Sequence, residues 1–157
     1  MSSSSDHPRI YDVFVSFRGE DTRKNFVSHV YAALKNSRVK TFLDDEELRK
    51  GKPLGPELER AIEGSHISIV VLSPNYAGSS WCLNELLHIL HCRQTYGQLV
   101  IPVFYQVDPS HVRKQTGHFG NALEFNAKNK DDQLLSKWRK ALNDVATISG
   151  WDATNMR

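Results

Sequence analysis

Hydrophobic positions along the chain fall into two kinds of pattern, one typical of strands and one typical of helices. Four short stretches are rich in β-branched, aliphatic and aromatic residues and are predicted to be strands: Tyr11–Phe17, 39–43, 67–72 and Leu99–Tyr105. The third and fourth stretches are almost uninterruptedly apolar, which is typical of strands covered on both faces. Pro102 would cost the fourth strand one ladder hydrogen bond.

Apolar residues at helical spacing occupy the segments between these strands. Phe26, Val30 and Leu34 repeat in this way after the first strand, and Asp21 or Thr22 is the predicted cap of that helix. Further helices are predicted at 56–64 and from the start of SSWCLNELLHIL (79–90). From residue 112 onwards several shorter helices are predicted, the last of them at 134–148, and a short element follows at residues 150 and 151. This alternation predicts a parallel sheet with helices on both faces.

Loops that follow the predicted strands are the expected place for chemistry, because ligands of such folds bind outside the C-terminal ends of the strands. Four loops leave these ends: 18–25, 44–55, 73–81 and 106–110. We therefore expect any site to be built from them.

The stretch SSWCLNELLHIL leaves two interpretations open. On a helical wheel its core stripe contains Cys82, Leu83, Leu86, Leu87 and Leu90, whereas Trp81, Glu85, His88 and Cys92 fall on another side. In the first interpretation Glu85 is a solvated residue that favours the positive end of the helix dipole, and Trp81 covers a loop. In the second, both line a cleft, where a carboxylate can bind sugar hydroxyls and stabilise positive charge at an anomeric carbon.

Composition and charge narrow the classes of protein that are compatible with this pattern. The 157 residues suffice for one domain, and a net charge of +2 gives little support to nucleic acid as a partner. The presence of only two cysteines favours a reducing compartment, so a cytoplasmic or nuclear location is expected. No run of apolar residues in the sequence is long enough to predict a membrane span. Residues 1–9 are predicted to be a disordered, Ser-rich lead.

Motifs for other chemistries are weak or absent from the sequence. Cys82, His88 and Cys92 match no common zinc pattern, so no metal site is predicted. Neither G-x-S-x-G, GxxxxGK[ST] nor GxGxxG occurs. Residues 44–47 are predicted to be a solvated acidic patch.

Four motifs together carry a resemblance to a known family. YDVFVSFRGEDTRKNF, TFLDDEELRKGKPLGPEL, SPNYAGSSWCLNEL and VIPVFYQVDPSHVRKQTGHFG stand in the order and spacing of plant TIR domains, the N-terminal modules of many plant intracellular immune receptors. The resemblance implies a flavodoxin-like α/β fold with a five-stranded parallel sheet and helices on both faces. It implies a TIR domain at 10–151, with 152–157 as the start of a linker or of a truncated last helix, and further receptor domains beyond Arg157.

The resemblance also implies an activity. Plant TIR domains hydrolyse NAD⁺ at the nicotinamide–ribose bond and yield nicotinamide, ADP-ribose and cyclic or related nucleotide signals. The S-x-W-C-x-x-E-L motif of the family is complete here, which makes Glu85 the expected catalytic residue. NAD⁺, or NADP⁺ as a second candidate, is then a substrate, and no cofactor is expected.

Other site residues follow from the same resemblance. Expected contacts to the substrate are Arg18, Gly19, Glu20, Asp21, Thr22, Arg23, Lys24, Asn25, Asp44, Gly51, Lys52, Ser79 and Trp81. Arg18 and Arg23 would neutralise the diphosphate, and Ser79 and Trp81 would shape the ribose pocket. Loop 44–55 resembles a mobile loop that gates the site and mediates self-association in the family.

Self-association with other TIR domains is implied as well. Ser28 and His29 resemble one interface, and Lys137 and Trp138 resemble a second, although Trp138 is equally compatible with a core position. The family also contains interaction modules without turnover, so a non-catalytic adaptor is the alternative function. Nucleic-acid processing is a third hypothesis, with little support from the charge.

Overall fold

The computed structural model describes residues 9–44 and 55–153. Their elements, in chain order, are β1 (Tyr11–Phe17), α1 (Gly19–Thr22), α2 (Phe26–Asn36), β2 (Thr41–Leu43), α3 (Pro56–Glu63), β3 (Ser65–Leu72), a 3₁₀ turn (Tyr76–Gly78), α4 (Ser80–Tyr96), β4 (Leu99–Tyr105), α5 (Pro109–Lys114), α6 (Gly117–Ala127), α7 (Asp132–Thr147) and β5 (Trp151–Ala153). Among these residues, no helix combines the length and the apolar composition that a bilayer span requires.

The five strands form one parallel sheet in the order β2-β1-β3-β4-β5. This confirms the predicted α/β fold with helices on both faces. Consecutive parallel strands are joined by helical crossovers, and strand order reverses at β1, which lies between β2 and β3. The C-terminal edge beside β1 is therefore the position at which ligands of open α/β sheets bind.

Two apolar clusters lie on opposite faces of the sheet. The larger contains buried side chains of α3, α4 and α5–α7, with Trp138 of α7 fully buried among them. The smaller contains Phe26 and Val27 of α2 against residues of β1, β3, β4 and β5. Burial of both faces accounts for the nearly continuous apolar runs of β3 and β4.

Element boundaries differ from the prediction where tertiary contacts outweigh the local pattern. The cap of α2 is Asn25, whose side chain accepts from the backbone N–H of Phe26, and the predicted caps Asp21 and Thr22 lie in the short helix α1. The predicted domain boundary at 151 falls inside β5, because this strand pairs with β4 as far as Ala153. Strand β2 is shorter than predicted, and residues 1–8 of the predicted lead lie outside the described residues.

The wheel prediction for α4 differs from the observed burial at three positions, Cys92, Leu87 and Leu90. Cys92 was placed away from the core stripe but is fully buried, and Glu85 is buried as well. Leu87 and Leu90, predicted to be in the core stripe, are only partly buried. The reason is that α4 is covered from several directions, by β1, β4, the 3₁₀ turn, α3 and α7.

Candidate active site at the C-terminal edge of the sheet

Strand register brings three chain segments together beside β1. Val15 pairs with Leu43 of β2, and Ser16 pairs with Val70 of β3. Asp44, which directly follows Leu43, therefore leaves the sheet next to the end of β1. The loop after β3 leaves the same edge, and it leads through the 3₁₀ turn into α4.

The start of α4 is held by a side-chain cap. Ser79 Oγ accepts a hydrogen bond from the backbone N–H of Cys82 at 3.1 Å, which satisfies a donor of the first turn. The predicted role of Ser79 in shaping the ribose pocket stays a prediction, and this cap is one of its contacts. The first turns of α4 then carry Trp81 and Glu85 to the edge of the sheet.

Glu85 is a buried acid and not a solvated helix residue. Only 1% of its surface is exposed. Its Oε1 accepts a hydrogen bond from Ser16 Oγ at 2.8 Å, while Oε2 is buried without a hydrogen-bond partner among the described residues. The first interpretation of SSWCLNELLHIL is therefore wrong. A buried carboxyl oxygen without a hydrogen-bond partner is costly, and a catalytic role is one of the reasons for which a native structure retains such an atom.

Trp81 and Asp44 complete the surroundings of Glu85. The Trp81 indole N–H donates to Asp44 Oδ2 and so ties α4 to the end of β2. Asp44 is itself buried, so the predicted solvated acidic patch is wrong at its first residue. The remaining residues of that patch, 45–47, lie outside the described residues.

Burial raises the pKa of the Glu85 carboxyl well above its ordinary value. Desolvation is the largest cause, and the neighbouring Asp44 carboxyl acts in the same direction. The hydroxyl of Ser16 and the indole of Trp81 act in the opposite direction because they stabilise the ionised form. A carboxyl whose charge is disfavoured by burial and by a neighbouring acid is a recognised signature of functional positions.

Two hydroxyl groups at this site were not predicted from the sequence. Ser16 lies at the penultimate position of β1, and its Oγ is 2.9 Å from Tyr76 Oη. Tyr76 in turn donates to the backbone carbonyl of Cys82 at 3.0 Å. A polar residue inside the apolar strand YDVFVSF was the signal available for Ser16; the position of Tyr76 depends on the 3₁₀ turn.

Loop 18–25 is anchored to the loop after β3 by Asp21. Its Oδ2 accepts from Ser73 Oγ at 2.6 Å and from the backbone N–H of Asn75 at 2.8 Å, and its Oδ1 accepts from Asn75 Nδ2 at 2.9 Å. Thr22 is buried and donates to the backbone carbonyl of Arg18. The observed contacts of Asp21 and Thr22, like the cap at Asn25, therefore stabilise the loop. The predicted contacts of these three residues with substrate stay predictions.

Asp21→Ala is expected to destabilise the fold by about 1–3 kcal/mol, because it leaves buried donors of the neighbouring loop without an acceptor. The free energy of unfolding in urea measures the effect. Glu20→Ala is the matched control, since Glu20 is exposed and makes a surface ion pair with Arg18 whose loss is expected to cost less than about 1 kcal/mol. Equal stabilities of the two variants would contradict the anchoring role of Asp21.

The basic residues of loop 18–25 differ in their surroundings. Arg18 is mostly buried and lies 3.1 Å from the Glu20 carboxylate, whereas Lys24 is exposed. The guanidinium of Arg23 packs directly over Gly19, where any side chain would displace it. Because the guanidinium is the flexible end of a long side chain, this close approach does not by itself require glycine. The predicted diphosphate contacts of Arg18 and Arg23 stay predictions.

The predicted interface residues separate into exposed and buried ones. Ser28, His29 and Lys137 are exposed, and His29 lines an apolar groove of about 450 Å³ together with Leu34 and Trp151. Trp138, in contrast, is fully buried and donates from its indole N–H to Asn84 Oδ1. Its prediction as an interface residue is corrected, because its side chain belongs to the core.

Three further predictions concern loop 44–55, loop 106–110 and metal binding. Gly51 and Lys52 lie outside the described residues. In loop 106–110, Asp108 caps α5 by accepting from the backbone N–H of Ser110. Within residues 9–44 and 55–153, no group of three or more His, Cys, Asp or Glu side chains is arranged to hold a metal ion.

Comparisons with known proteins agree with this architecture. A sequence model of the TIR domain family matches residues 10–157. Disease resistance protein RPV1 of Vitis rotundifolia is 52% identical over 155 residues, and TMV resistance protein N of Nicotiana glutinosa is 52% identical over 153. Each alignment covers 96% of this chain but only 11% and 13%, respectively, of the relative.

A solved structure gives the same result at the level of the fold. The TIR domains of the activated Roq1 resistosome, which directly recognises the pathogen effector XopQ, are 49% identical with a TM-score of 0.85. The match covers 94% of this chain and 90% of that one. Fold, family model and relatives together confirm the predicted resemblance, and the chain belongs to the TIR domain family, closely similar to the TIR domains of plant disease resistance proteins.

Proposed function

We propose that the chain hydrolyses NAD⁺ at the nicotinamide–ribose bond and produces nicotinamide, ADP-ribose and cyclic or related nucleotides. The observation that carries this proposal is the buried Glu85 carboxyl group, whose Oε2 has no hydrogen-bond partner among the described residues. It lies at the edge of the sheet where ligands of such folds bind. The membership in the TIR domain family supports the same activity.

The chemistry requires few protein groups. Nicotinamide attached to ribose is cationic and departs as a neutral molecule, so the leaving group needs no general acid. One carboxylate can then suffice where ordinary glycosidases use two. Ionised Glu85 would bind the ribose hydroxyls and stabilise the positive charge that develops at the anomeric carbon. Trp81 offers an aromatic face beside it, and Arg18 and Arg23 are the expected partners of the diphosphate.

Charge at the site favours a cationic substrate. Asp44 and Glu85 are two neighbouring acids, and Asp44 raises the pKa of Glu85. A nicotinamide ring with a positive charge would offset this repulsion and favour ionisation of Glu85 when the substrate binds. NAD⁺ and NADP⁺ both carry this charge, whereas NADH does not.

Nicotinamide release from NAD⁺ and from NADH, measured by chromatography at equal concentrations, tests the proposal. We expect release from NAD⁺ and none from NADH, because only the oxidised ring is a cationic leaving group. Absence of release from NAD⁺ at every protein concentration would contradict the proposed activity. Equal release from both would contradict the electrostatic argument.

Self-association is the second part of the proposal. The comparison structure is of TIR domains in an activated resistosome, and similar receptors are named disease resistance proteins. We infer that this chain acts in plant immune signalling and cell death, joined to receptor domains, and that association with other TIR domains completes its site. The exposed residues Ser28, His29 and Lys137 are candidate contacts.

Specific activity is expected to rise with protein concentration, because a site completed by a neighbouring chain requires that neighbour. Nicotinamide release per chain, measured across a dilution series, checks this expectation. His29→Ala should lower the activity at intermediate concentration and leave the unfolding free energy almost unchanged, since the side chain is exposed. A flat specific activity over the whole series would exclude a shared site.

A non-catalytic adaptor is the competing function, and the assembly named for the comparison structure is compatible with it. Burial of Glu85 argues for the enzyme, because an interaction surface gains nothing from a buried acid with one carboxyl oxygen that lacks a hydrogen-bond partner among the described residues. An adaptor would associate with TIR domains and leave NAD⁺ intact.

A further inference from the structure

A row of oxygen atoms connects Glu85 to the backbone of its own helix. Glu85 Oε1 lies 2.8 Å from Ser16 Oγ, which lies 2.9 Å from Tyr76 Oη, and Tyr76 Oη lies 3.0 Å from the carbonyl oxygen of Cys82. All four residues are buried. They come from β1, the 3₁₀ turn and α4, so the row forms only in the folded chain.

The hydrogens available to this row depend on the charge of Glu85. Three oxygen–oxygen contacts share only two hydroxyl hydrogens, those of Ser16 and Tyr76. When the proton of a neutral Glu85 lies on Oε1, the carboxyl donates to Ser16, Ser16 donates to Tyr76, and Tyr76 donates to the Cys82 carbonyl. A proton shared with Asp44 instead leaves Ser16 as the donor to Oε1. With an ionised Glu85, Ser16 must donate to the carboxylate. Tyr76 can then donate to Ser16, and the Cys82 carbonyl loses this donor.

We propose that Ser16 and Tyr76 are positioning residues for Glu85, forming a relay of two hydroxyl groups that reverses its direction when Oε1 of the carboxyl gains or loses a proton. Its consequence for catalysis rests on the proposed function. Both hydroxyls turn towards Glu85 when a cationic substrate enters and the released proton passes to water. The relay thereby fixes the carboxylate in one orientation and stabilises its charge without a basic side chain.

The groups facing Glu85 support this role. Ser16 of β1, Tyr76 of the 3₁₀ turn and Trp81 of α4 are uncharged, and Asp44 at the end of β2 is acidic. Burial and Asp44 both disfavour the charged form of Glu85, and the Ser16 hydroxyl acts against them. Donation from Ser16, oriented by Tyr76, is therefore a specific source of stabilisation for the ionised acid.

Carbon-13 NMR of the glutamate carboxyl groups tests the relay in the intact chain, with Glu85→Gln to assign the Glu85 signal. Ser16→Ala is expected to move the titration midpoint of Glu85 upward by about one pH unit, because it removes a charge-assisted hydrogen bond. Ser16→Thr keeps the hydroxyl and should leave the midpoint near that of the native chain. Ser68→Ala, a buried serine that donates to Gln98 instead, is the matched control.

Tyr76→Phe is the decisive variant, because Tyr76 reaches Glu85 only through Ser16 in the proposed relay. It should move the Glu85 midpoint by about half a pH unit or more when Ser16 is present and leave it unchanged in the Ser16→Ala background. Tyr105→Phe, another buried tyrosine, should have no effect in either background. Equal shifts in both backgrounds, or an unchanged midpoint in Ser16→Ala, would overturn the relay.

The titration does not depend on turnover, so the two proposals can fail separately. A midpoint that responds to Ser16 and Tyr76 in a chain that releases no nicotinamide supports the relay and contradicts the NAD⁺ hydrolase. In an active chain, Ser16→Ala should also shift the acidic limb of the pH–rate profile to higher pH. Nicotinamide release with an unresponsive midpoint supports the enzyme and overturns the relay.

Discussion

Replacement of Glu85 by glutamine is expected to lower the rate of nicotinamide release from NAD⁺ by about 10³-fold, because the neutral amide cannot offset the charge that develops at the anomeric carbon. Glutamine has nearly the same shape, and it can still contact Ser16. The variant therefore isolates the charge of the carboxylate. Chromatography of the reaction at one high protein concentration measures the loss.

The same variant has an expected effect on stability, which shows whether the loss of activity comes from unfolding. Glu85 in the folded chain keeps its proton to higher pH than in the unfolded chain, since burial raises its pKa. The folded state then binds more protons in this range, so stability falls as pH rises above the ordinary value of 4.5. Glu85→Gln removes this fall and should be at least as stable as the native chain at neutral pH.

Glu124→Gln is the matched control for both measurements, because Glu124 is exposed on α6. It should change neither the rate nor the pH dependence of stability. Full activity in Glu85→Gln would exclude Glu85 from the chemistry. A fold that is lost in Glu85→Gln at every pH would show that the carboxyl is required for structure.

Trp138→Ala is expected to destabilise the fold by about 3–5 kcal/mol, because it removes the largest fully buried side chain and leaves a cavity that the surrounding helices cannot fill. It also leaves Asn84 Oδ1 without the indole donor. For a domain of this size, the melting temperature should fall by about 10 °C. Thermal unfolding followed by circular dichroism measures the change.

Trp151→Ala is the matched control, because it makes the same tryptophan-to-alanine substitution at an exposed position. Its indole is 55% exposed, so its removal should cost much less stability than the loss of Trp138. Similar melting temperatures for the two variants would contradict the core assignment of Trp138. Loss of self-association in Trp138→Ala with unchanged stability would restore its predicted interface role.

Local sequence pattern was sufficient for most of the sheet but not for the site. The strand Leu99–Tyr105 was predicted with its observed bounds, because a buried parallel strand leaves an apolar run. For α4, the wheel separated Glu85 from the leucine stripe and left its burial open. A wheel contains one helix and cannot represent the neighbours of Glu85 from other elements, such as Ser16 of β1 and Asp44 after β2.

Asp21 and Trp138 illustrate the same limit at other positions. Asp21 looked like a helix cap or a substrate ligand, and its observed partners Ser73 and Asn75 are 52 and 54 residues away in the chain. Trp138 was compatible with either a surface or a core position. Packing of α7 against α4 places the Trp138 side chain in the core, with its indole N–H beside Asn84.

The sequence by itself determined the alternation of strands and helices, the membership in the TIR domain family and the identity of Glu85 as the expected acid. These follow from periodicity and from motifs that are contiguous in the chain. The tertiary structure alone decided that Glu85 is buried, that Asp44 raises its pKa, and that Ser16 and Tyr76 stand in a row beside it. The physical reason is that pKa and hydrogen-bond direction depend on groups brought together by strand register and helix packing, which no local pattern encodes.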